Sequence, residues 1–218
     1  MKGLLVLLCL VFDFGYIFFC VKKRFVVALL CKTLASACFL VLGYQGYCLR
    51  QDRFASYMVI GMAFDGLGDI FLGIRNLFLK KPMFLCGTFS FLLGHVFYAV
   101  AMFEMASSII GYCISIAAII VLCLYGHIKR LADNDKIYRC VGVVYVGMIM
   151  FIGILSMGLC LVDFNVSHLI MGIGSLMFVF SDMILIIYNF GERKEWMHPL
   201  YSALYYVGQS LIALSLHL

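Results

Sequence analysis

Two aspartates, Asp65 and Asp69, stand four residues apart inside the largely apolar stretch 54–79. That spacing puts both carboxyl groups on one face of a helix. A third aspartate, Asp182, lies inside the apolar stretch 166–190. An ionised carboxylate at the centre of a membrane helix costs about 3 kcal/mol or more, so aspartates retained there are candidates for a functional site.

Carboxyl groups on different helices can act as a general acid and a general base. A low-dielectric site favours a protonated carboxyl, whereas a neighbouring lysine such as Lys32 favours an ionised one. One protonated and one ionised carboxyl is the arrangement that acid-catalysed hydrolysis requires. His95 is the only histidine deep in an apolar stretch, and a zinc hydrolase needs more ligands than that. We therefore predict neither a metal ion nor a cofactor.

The composition places these aspartates in a membrane protein. Of the 218 residues, 65% are hydrophobic and 12% are charged, whereas a soluble domain carries about 25% charged residues. A spanning helix needs about 20 mostly apolar residues. We therefore predict an all-α, polytopic bundle of eight transmembrane helices that forms one domain over residues 1–218, with spans at about 3–20, 25–48, 54–79, 83–103, 107–126, 139–162, 166–190 and 198–217.

Lysines and arginines set the predicted orientation, because short cytoplasmic loops carry an excess of them. With eight spans, the first, third, fifth and seventh loops share one side and hold eleven such residues, whereas the other side holds three. We therefore expect the first side to be cytoplasmic and both termini to be non-cytoplasmic. The predicted location is a bacterial cell membrane or a eukaryotic endomembrane.

Polar residues of six spans lie at similar distances from the predicted cytoplasmic side. At about 1.5 Å per residue, Lys32, Asp69 and Asp182 are about 12–16 Å from the ends of their spans. Further polar residues fall within about 12–20 Å of that side, namely Asp13, His95, Tyr205 and Gln209. We therefore expect one shared, partly hydrated cavity that opens toward the cytoplasmic leaflet.

Four motifs occur in order along the predicted spans, at residues 61–72 (GMAFDGLGDIFL), 91–98 (FLLGHVFY), 180–182 (FSD) and 205–212 (YYVGQSLI). Together they resemble the signature of the YhhN-like family, the integral-membrane lysoplasmalogenases, over nearly the whole chain. The resemblance implies hydrolysis of the vinyl ether bond of lysoplasmalogens. The products would be a fatty aldehyde and glycerophosphoethanolamine or glycerophosphocholine.

Carried over by motif, Asp69 and Asp182 match the family's two aspartates, and we expect them to be catalytic. Expected supporting or substrate-binding residues are Lys32, Asp65, His95, Tyr98, Tyr205 and Gln209, and expected headgroup contacts are Arg75, Lys80 and Lys81. The chain departs from the family at Thr33, where proline is common, and at Asp65, where a small residue is usual. The expected partners are a lysophospholipid substrate and membrane lipids, and no nucleic acid.

Two other classes of function remain compatible with these residues. A proton-coupled transporter also places carboxylates in the membrane, although such proteins usually show inverted repeats or broken helices, and we find neither in the sequence. A non-catalytic lipid-binding bundle would retain the aspartates for stability alone, for example in an ion pair between Lys32 and Asp69 or Asp182.

Overall fold

The computed structural model describes residues 2–78, 81–131 and 136–218, and within these ranges the chain forms eight helices and no strand. The predicted all-α membrane bundle is therefore confirmed. In chain order the helices are α1 (Lys2–Val21), α2 (Phe25–Arg50), α3 (Arg53–Phe78), α4 (Lys81–Phe103), α5 (Ile110–Leu131), α6 (Lys136–Val162), α7 (Val166–Phe190) and α8 (Met197–Ser215).

Six of these helices, α1 to α4, α6 and α7, are long and apolar enough to cross a membrane. Helix α5 has a shorter apolar stretch, Ile110–Gly126. Helix α8 has 19 residues and carries serine, tyrosine and glutamine side chains along its length. The chain is a multi-pass membrane protein, and it stays a prediction that α5 and α8 also cross the bilayer.

The helix boundaries follow local sequence signals. Asp52 precedes α3 and accepts the backbone N–H of Ala55 through Oδ1 at 2.7 Å. Asn165 precedes α7 and accepts the backbone N–H of His168 at 2.8 Å. Such side chains satisfy N–H groups that have no partner inside the helix. Pro82 and Pro199 lie in the first turns of α4 and α8, where a missing N–H is tolerated.

Seven helices pack as a ring in the order α1, α2, α3, α4, α6, α7 and α8, and α8 returns to α1. Helix α5 packs against α6. Helix α8 also contacts α2 directly, although α1 stands between α8 and α2 in the ring order. This arrangement turns one face each of α2, α3, α7 and α8 toward a common interior. These helices carry the buried lysine in α2, the two acidic motifs in α3 and α7, and the tyrosine and glutamine motif in α8.

Glycines bring two pairs of helices close together. A Cβ atom at Gly94 of α4 would lie 2.9 Å from the carbonyl oxygen of Gly61 in α3. In the same way, a Cβ atom at Gly174 of α7 would lie 2.8 Å from the carbonyl oxygen of Gly208 in α8. Helices in lipid associate through such close contacts, because the bilayer supplies no hydrophobic force between them.

We expect Gly208→Ala to destabilise the protein by about 1–3 kcal/mol, because the new methyl group would press on backbone atoms that cannot rotate away. Gly126→Ala in α5 is the matched control, since no described atom outside the neighbouring backbone of its own helix lies within 4 Å of its Cβ position. Alanine is also the better helix former there. Thermal unfolding in one detergent measures both variants. A Gly208→Ala protein with the wild-type Tm would contradict the close contact between α7 and α8.

Candidate active site

A cavity of about 1170 Å³ opens at the end of the bundle where α1, α3 and α7 end and where α2 and α8 begin. Its walls come from these five helices and from α4, and from the two turns that join α1 to α2 and α7 to α8. The inner part of the cavity is lined by Lys32, Asp69, Asp182 and Tyr205. The cavity therefore combines a wide mouth at the basic end of the bundle with ionisable groups inside it.

Lys32 and Asp69 form a buried ion pair between α2 and α3. Nζ of Lys32 lies 2.9 Å from Oδ1 of Asp69, and the two residues are 6% and 1% exposed. The ammonium group also lies 5.0 Å from the ring centroid of Tyr16 and 5.9 Å from those of Tyr205 and Tyr206. A lysine removed from water is stabilised by an opposite charge and by aromatic faces of this kind.

The second oxygen of Asp69 is also occupied. Its Oδ2 accepts hydrogen bonds from Ser36 Oγ at 2.6 Å and from the Tyr205 hydroxyl at 2.8 Å. Hydrogen bonds to a carboxylate are shorter and stronger than those between neutral groups. With a cation on one oxygen and two hydroxyl donors on the other, Asp69 occupies a site built for an ionised carboxylate.

Asp182 has a different environment on the same cavity. The hydroxyl of Tyr145 in α6 donates a hydrogen bond to its Oδ2. No lysine or arginine of the described ranges forms an ion pair with Asp182. Lys32 pairs with Asp69 rather than with Asp182, and Asp182 is 3% exposed, so a full negative charge on Asp182 is less well compensated than one on Asp69. The two aspartates that line this cavity therefore have different electrostatic environments.

A second polar cluster lies behind the cavity, between α3, α4 and α8. Oδ2 of Asp65 accepts hydrogen bonds from the Tyr98 hydroxyl and from Nε2 of Gln209, both at 2.6 Å. The other oxygen of Asp65 is buried without a hydrogen-bond partner in the described structure. It lies 2.5 Å from the place of a Cβ atom at Gly94. Glycine at this position thus makes room for the carboxyl group.

His95 packs beside both clusters. Its Nδ1 lies 2.6 Å from the carbonyl oxygen of Phe91, and because that oxygen can only accept, Nδ1 is the donor. The imidazole centroid lies 4.9 Å from the Phe178 ring and 6.0 Å from the rings of Tyr98 and Tyr145. His95 therefore supports the two tyrosines that hold Asp65 and Asp182.

The structure corrects the expectation of a single shared cavity. Of the polar residues expected there by depth, Lys32, Asp69, Asp182 and Tyr205 line the cavity, whereas Asp13, His95 and Gln209 lie outside its lining. The expected supporting residues Asp65 and Tyr98 also lie outside it. The cause is that depth along a helix gives no information on which neighbour a side chain faces. Among the expected headgroup contacts, Arg75 lines the cavity and donates to Oδ1 of Asn189 at 2.7 Å. Lys80 and the side chain of Lys81 lie outside the described residues.

Several residues of the site were missed by sequence reasoning. Ser36 follows Lys32 by one helical turn, so its spacing offered a signal. Tyr145 lies in an apolar part of α6, and nothing in its own sequence context indicates that α6 faces Asp182. Tyr16 and His198 line the cavity from α1 and α8. The hydroxyl oxygen of Tyr16 lies 3.2 Å from Nε2 of His198.

No group of three or more His, Cys, Asp or Glu side chains in the described ranges could hold a metal ion.

We expect Lys32→Met to lower the free energy of unfolding by about 3–5 kcal/mol, because Asp69 is then buried without its cation. The double variant Lys32→Met/Asp69→Asn removes both charges and should be more stable than Lys32→Met alone. Thermal unfolding of the wild type, the two single variants and the double variant gives the coupling between the two sites. Additive losses in the double variant would contradict a direct ion pair.

Comparison with known proteins agrees with the motifs. The sequence model of the YhhN family matches residues 27–216, a range that includes Lys32, Asp69 and Asp182. The human lysoplasmalogenase TMEM86A is 32% identical over 195 residues, which cover 87% of this chain and 78% of the human protein. No solved structure matches the chain. The chain belongs to the YhhN family.

Proposed function

We propose that the protein hydrolyses the vinyl ether bond of lysoplasmalogens, with Asp182 as the general acid and Asp69 as the fixed negative charge. The observation that carries the proposal is the unequal pair of carboxyl groups on one cavity. Asp69 forms an ion pair with Lys32 at 2.9 Å, whereas Asp182 accepts a hydrogen bond from Tyr145, a neutral donor. Membership of the YhhN family and likeness to a human lysoplasmalogenase support the choice of substrate.

The volume and the lining of the cavity suit a lipid with one chain. Its volume of about 1170 Å³ is slightly above the usual range of ligand pockets, about 300–1,000 Å³. Apolar side chains such as Ile17, Leu72 and Leu185 line it together with the ionisable groups. A lysophospholipid would place its headgroup at the basic mouth and its vinyl ether bond near Asp69 and Asp182.

Catalysis begins with a proton on Asp182. A buried carboxyl that has no ion-pair partner of its own is held at lower cost in its neutral form. Its proton moves to the β carbon of the vinyl ether, the carbon–carbon double bond becomes a single bond, and an oxocarbenium ion forms. The negative charge left on Asp182 lies beside the new positive charge, so the cavity gains no net charge. Asp69 adds a second, preorganised negative charge to stabilise the cation.

Water completes the reaction. A water molecule adds to the oxocarbenium carbon while the Asp182 carboxylate takes up one of its protons, which restores the acid. The resulting hemiacetal collapses to the fatty aldehyde and to glycerophosphoethanolamine or glycerophosphocholine. One water is consumed per turnover. Tyr145 would act as a positioning residue, because its hydrogen bond fixes the carboxyl of Asp182.

We expect Asp182→Asn to lower kcat by about 100-fold or more, because a general acid contributes about 10²–10⁴-fold and an amide cannot replace it. Asp69→Asn should also lose most activity through the missing negative charge. The measurement is aldehyde release from lysoplasmenylethanolamine by purified protein. Asp163→Asn is the matched control, since Asp163 has a side chain 66% exposed and does not line the cavity. Wild-type rates in both Asp182→Asn and Asp69→Asn would end the proposal.

We also propose that the cavity mouth faces the cytoplasm, as the charge count predicts. The mouth is formed by the turns after α1 and α7, which belong to the more basic side of the chain. A reporter at the C-terminus, beyond α8, should then be protected from a protease added on the cytoplasmic side of sealed vesicles. A reporter inserted in the turn between α7 and α8 should be cleaved, and the reverse pattern would contradict this orientation.

A further inference from the structure

We propose that the cavity mouth recognises a zwitterionic phospholipid headgroup, with Lys23 and Arg193 on its phosphate and Glu195 on its ammonium group. This inference rests on the proposed function, because it assigns the headgroup of the same substrate. All three residues lie in the turns that join α1 to α2 and α7 to α8, and all three line the cavity. None of them was among the residues expected from the sequence.

Lys23 holds a backbone conformation that favours glycine. Its φ is 57°, in the left-handed region that costs a residue with a side chain about 1–2 kcal/mol. Arg24 N donates to Phe19 O at 2.9 Å and Lys23 N donates to Cys20 O at 3.0 Å, which is the helix ending where glycine is most common. A lysine is therefore less favourable than glycine for the conformation of this turn, and the side chain of Lys23 lines the cavity mouth. A role of this side chain in binding explains why lysine occupies the position.

Arg193 is held against an aromatic wall of the same mouth. Its guanidinium carbon lies 4.4 Å from the ring centroid of Tyr188, and Nη2 donates to the hydroxyl of that tyrosine. Tyr188 itself lies at the end of α7 and lines the cavity. A guanidinium stacked on a ring keeps its remaining N–H groups directed at a ligand, and phosphate is the ligand that matches this fork of donors.

The loop after α7 contains four charged residues, of which two line the cavity and two do not. Arg193 and Glu195 line the cavity, whereas Glu192 and Lys194 do not. Glu192 and Lys194 instead contact each other, with Nζ 3.8 Å from Oε2, and their side chains are 88% and 52% exposed. One cation and one anion of this loop therefore point to the substrate cavity, and a neighbouring cation and anion supply matched controls.

The mixture of charges at the mouth favours a zwitterion over an anion. Lys23, Arg75 and Arg193 would suit any phosphate, but Glu195 repels a headgroup that carries only negative charge. A primary or quaternary ammonium group is attracted by the Glu195 carboxylate and by the indole of Trp196, which lines the cavity next to it. Asp182 lies eight residues before the end of α7, about 12 Å along the helix, so the reacting bond would lie deeper in the cavity than the headgroup.

Trp196 provides the measurement, because it is the only tryptophan in the sequence. We expect its fluorescence to change when a glycerophosphoethanolamine that carries one saturated alkyl ether chain is titrated into the protein in phosphatidylglycerol nanodiscs. This lipid has the headgroup but no vinyl ether bond. An alkyl ether glycerophosphate of equal chain length, which lacks the ammonium group, should bind more weakly to the wild type.

Glu195→Gln should weaken binding of the ethanolamine lipid about threefold or more, which is the size expected for an exposed charge pair. The affinity for the glycerophosphate lipid should stay the same or rise, so that the preference for the ethanolamine lipid becomes smaller or reverses. Glu192→Gln should change neither affinity. Equal losses for both lipids in Glu195→Gln, or no loss for either, would overturn the assignment of the ammonium site.

Lys23→Gly separates a role in binding from a role in the turn. Glycine relieves the left-handed backbone, so we expect thermal stability to stay the same or to rise, while both lipids bind about threefold more weakly. Arg193→Gln should weaken the binding of both lipids to the same extent, and Lys194→Gln should not change the binding of either lipid. Unchanged affinities in Lys23→Gly and Arg193→Gln would overturn the phosphate site.

Aldehyde release by the same variants distinguishes this inference from the proposed function. If the protein cleaves lysoplasmenylethanolamine and all five variants, three at the mouth and two controls, bind each alkyl lipid as the wild type does, the headgroup site is wrong and the hydrolase proposal stands. If the alkyl lipids bind with the expected dependence on Glu195 and Lys23 but no aldehyde is released, the headgroup site stands and the hydrolase proposal is wrong.

Discussion

The ion pair between Lys32 and Asp69 is the contact on which the rest of the site depends. Lys32 is the only buried lysine or arginine of the described chain, whereas four aspartates are buried, Asp13, Asp65, Asp69 and Asp182. One cation can compensate one carboxylate in a medium of low dielectric. Its position at 2.9 Å from Asp69 leaves the other three to neutral donors, namely Ser202, Tyr98 with Gln209, and Tyr145. The division of chemical roles that we propose follows from this single placement.

Helix α8 shows how the fold supports that arrangement. It donates a hydrogen bond to three of the four aspartates, from Ser202, Tyr205 and Gln209, at 2.5, 2.8 and 2.6 Å. These polar residues lower the hydropathy of α8, and yet eleven of its 19 residues are buried. The contact of Gly208 with Gly174 lets α8 approach α7, which carries Asp182. Helix α8 is therefore held in the bundle by its polar groups, because these groups donate hydrogen bonds to residues of other helices.

The sequence was sufficient to predict the helices that carry the acidic residues, since long apolar runs have few alternatives to membrane helices. It left open whether Lys32 pairs with Asp69 or Asp182, because both lie at similar depth and only packing decides between them. It could not indicate that Tyr145 reaches Asp182, since that contact depends on how α6 turns toward α7. His95 and Gln209 were expected in the cavity and lie outside its lining, because the rotation of each helix about its own axis is set by its neighbours.

The proposed division of roles requires Asp182 to carry a proton and Asp69 to be ionised in the resting protein. Infrared difference spectra between the wild type and single variants at neutral pH measure this directly. The account predicts that Asp182→Asn removes a C=O band of a protonated carboxyl, one that shifts in heavy water, and that Asp69→Asn removes only carboxylate bands. Loss of the protonated-carboxyl band in Asp69→Asn, with only carboxylate bands lost in Asp182→Asn, would contradict it.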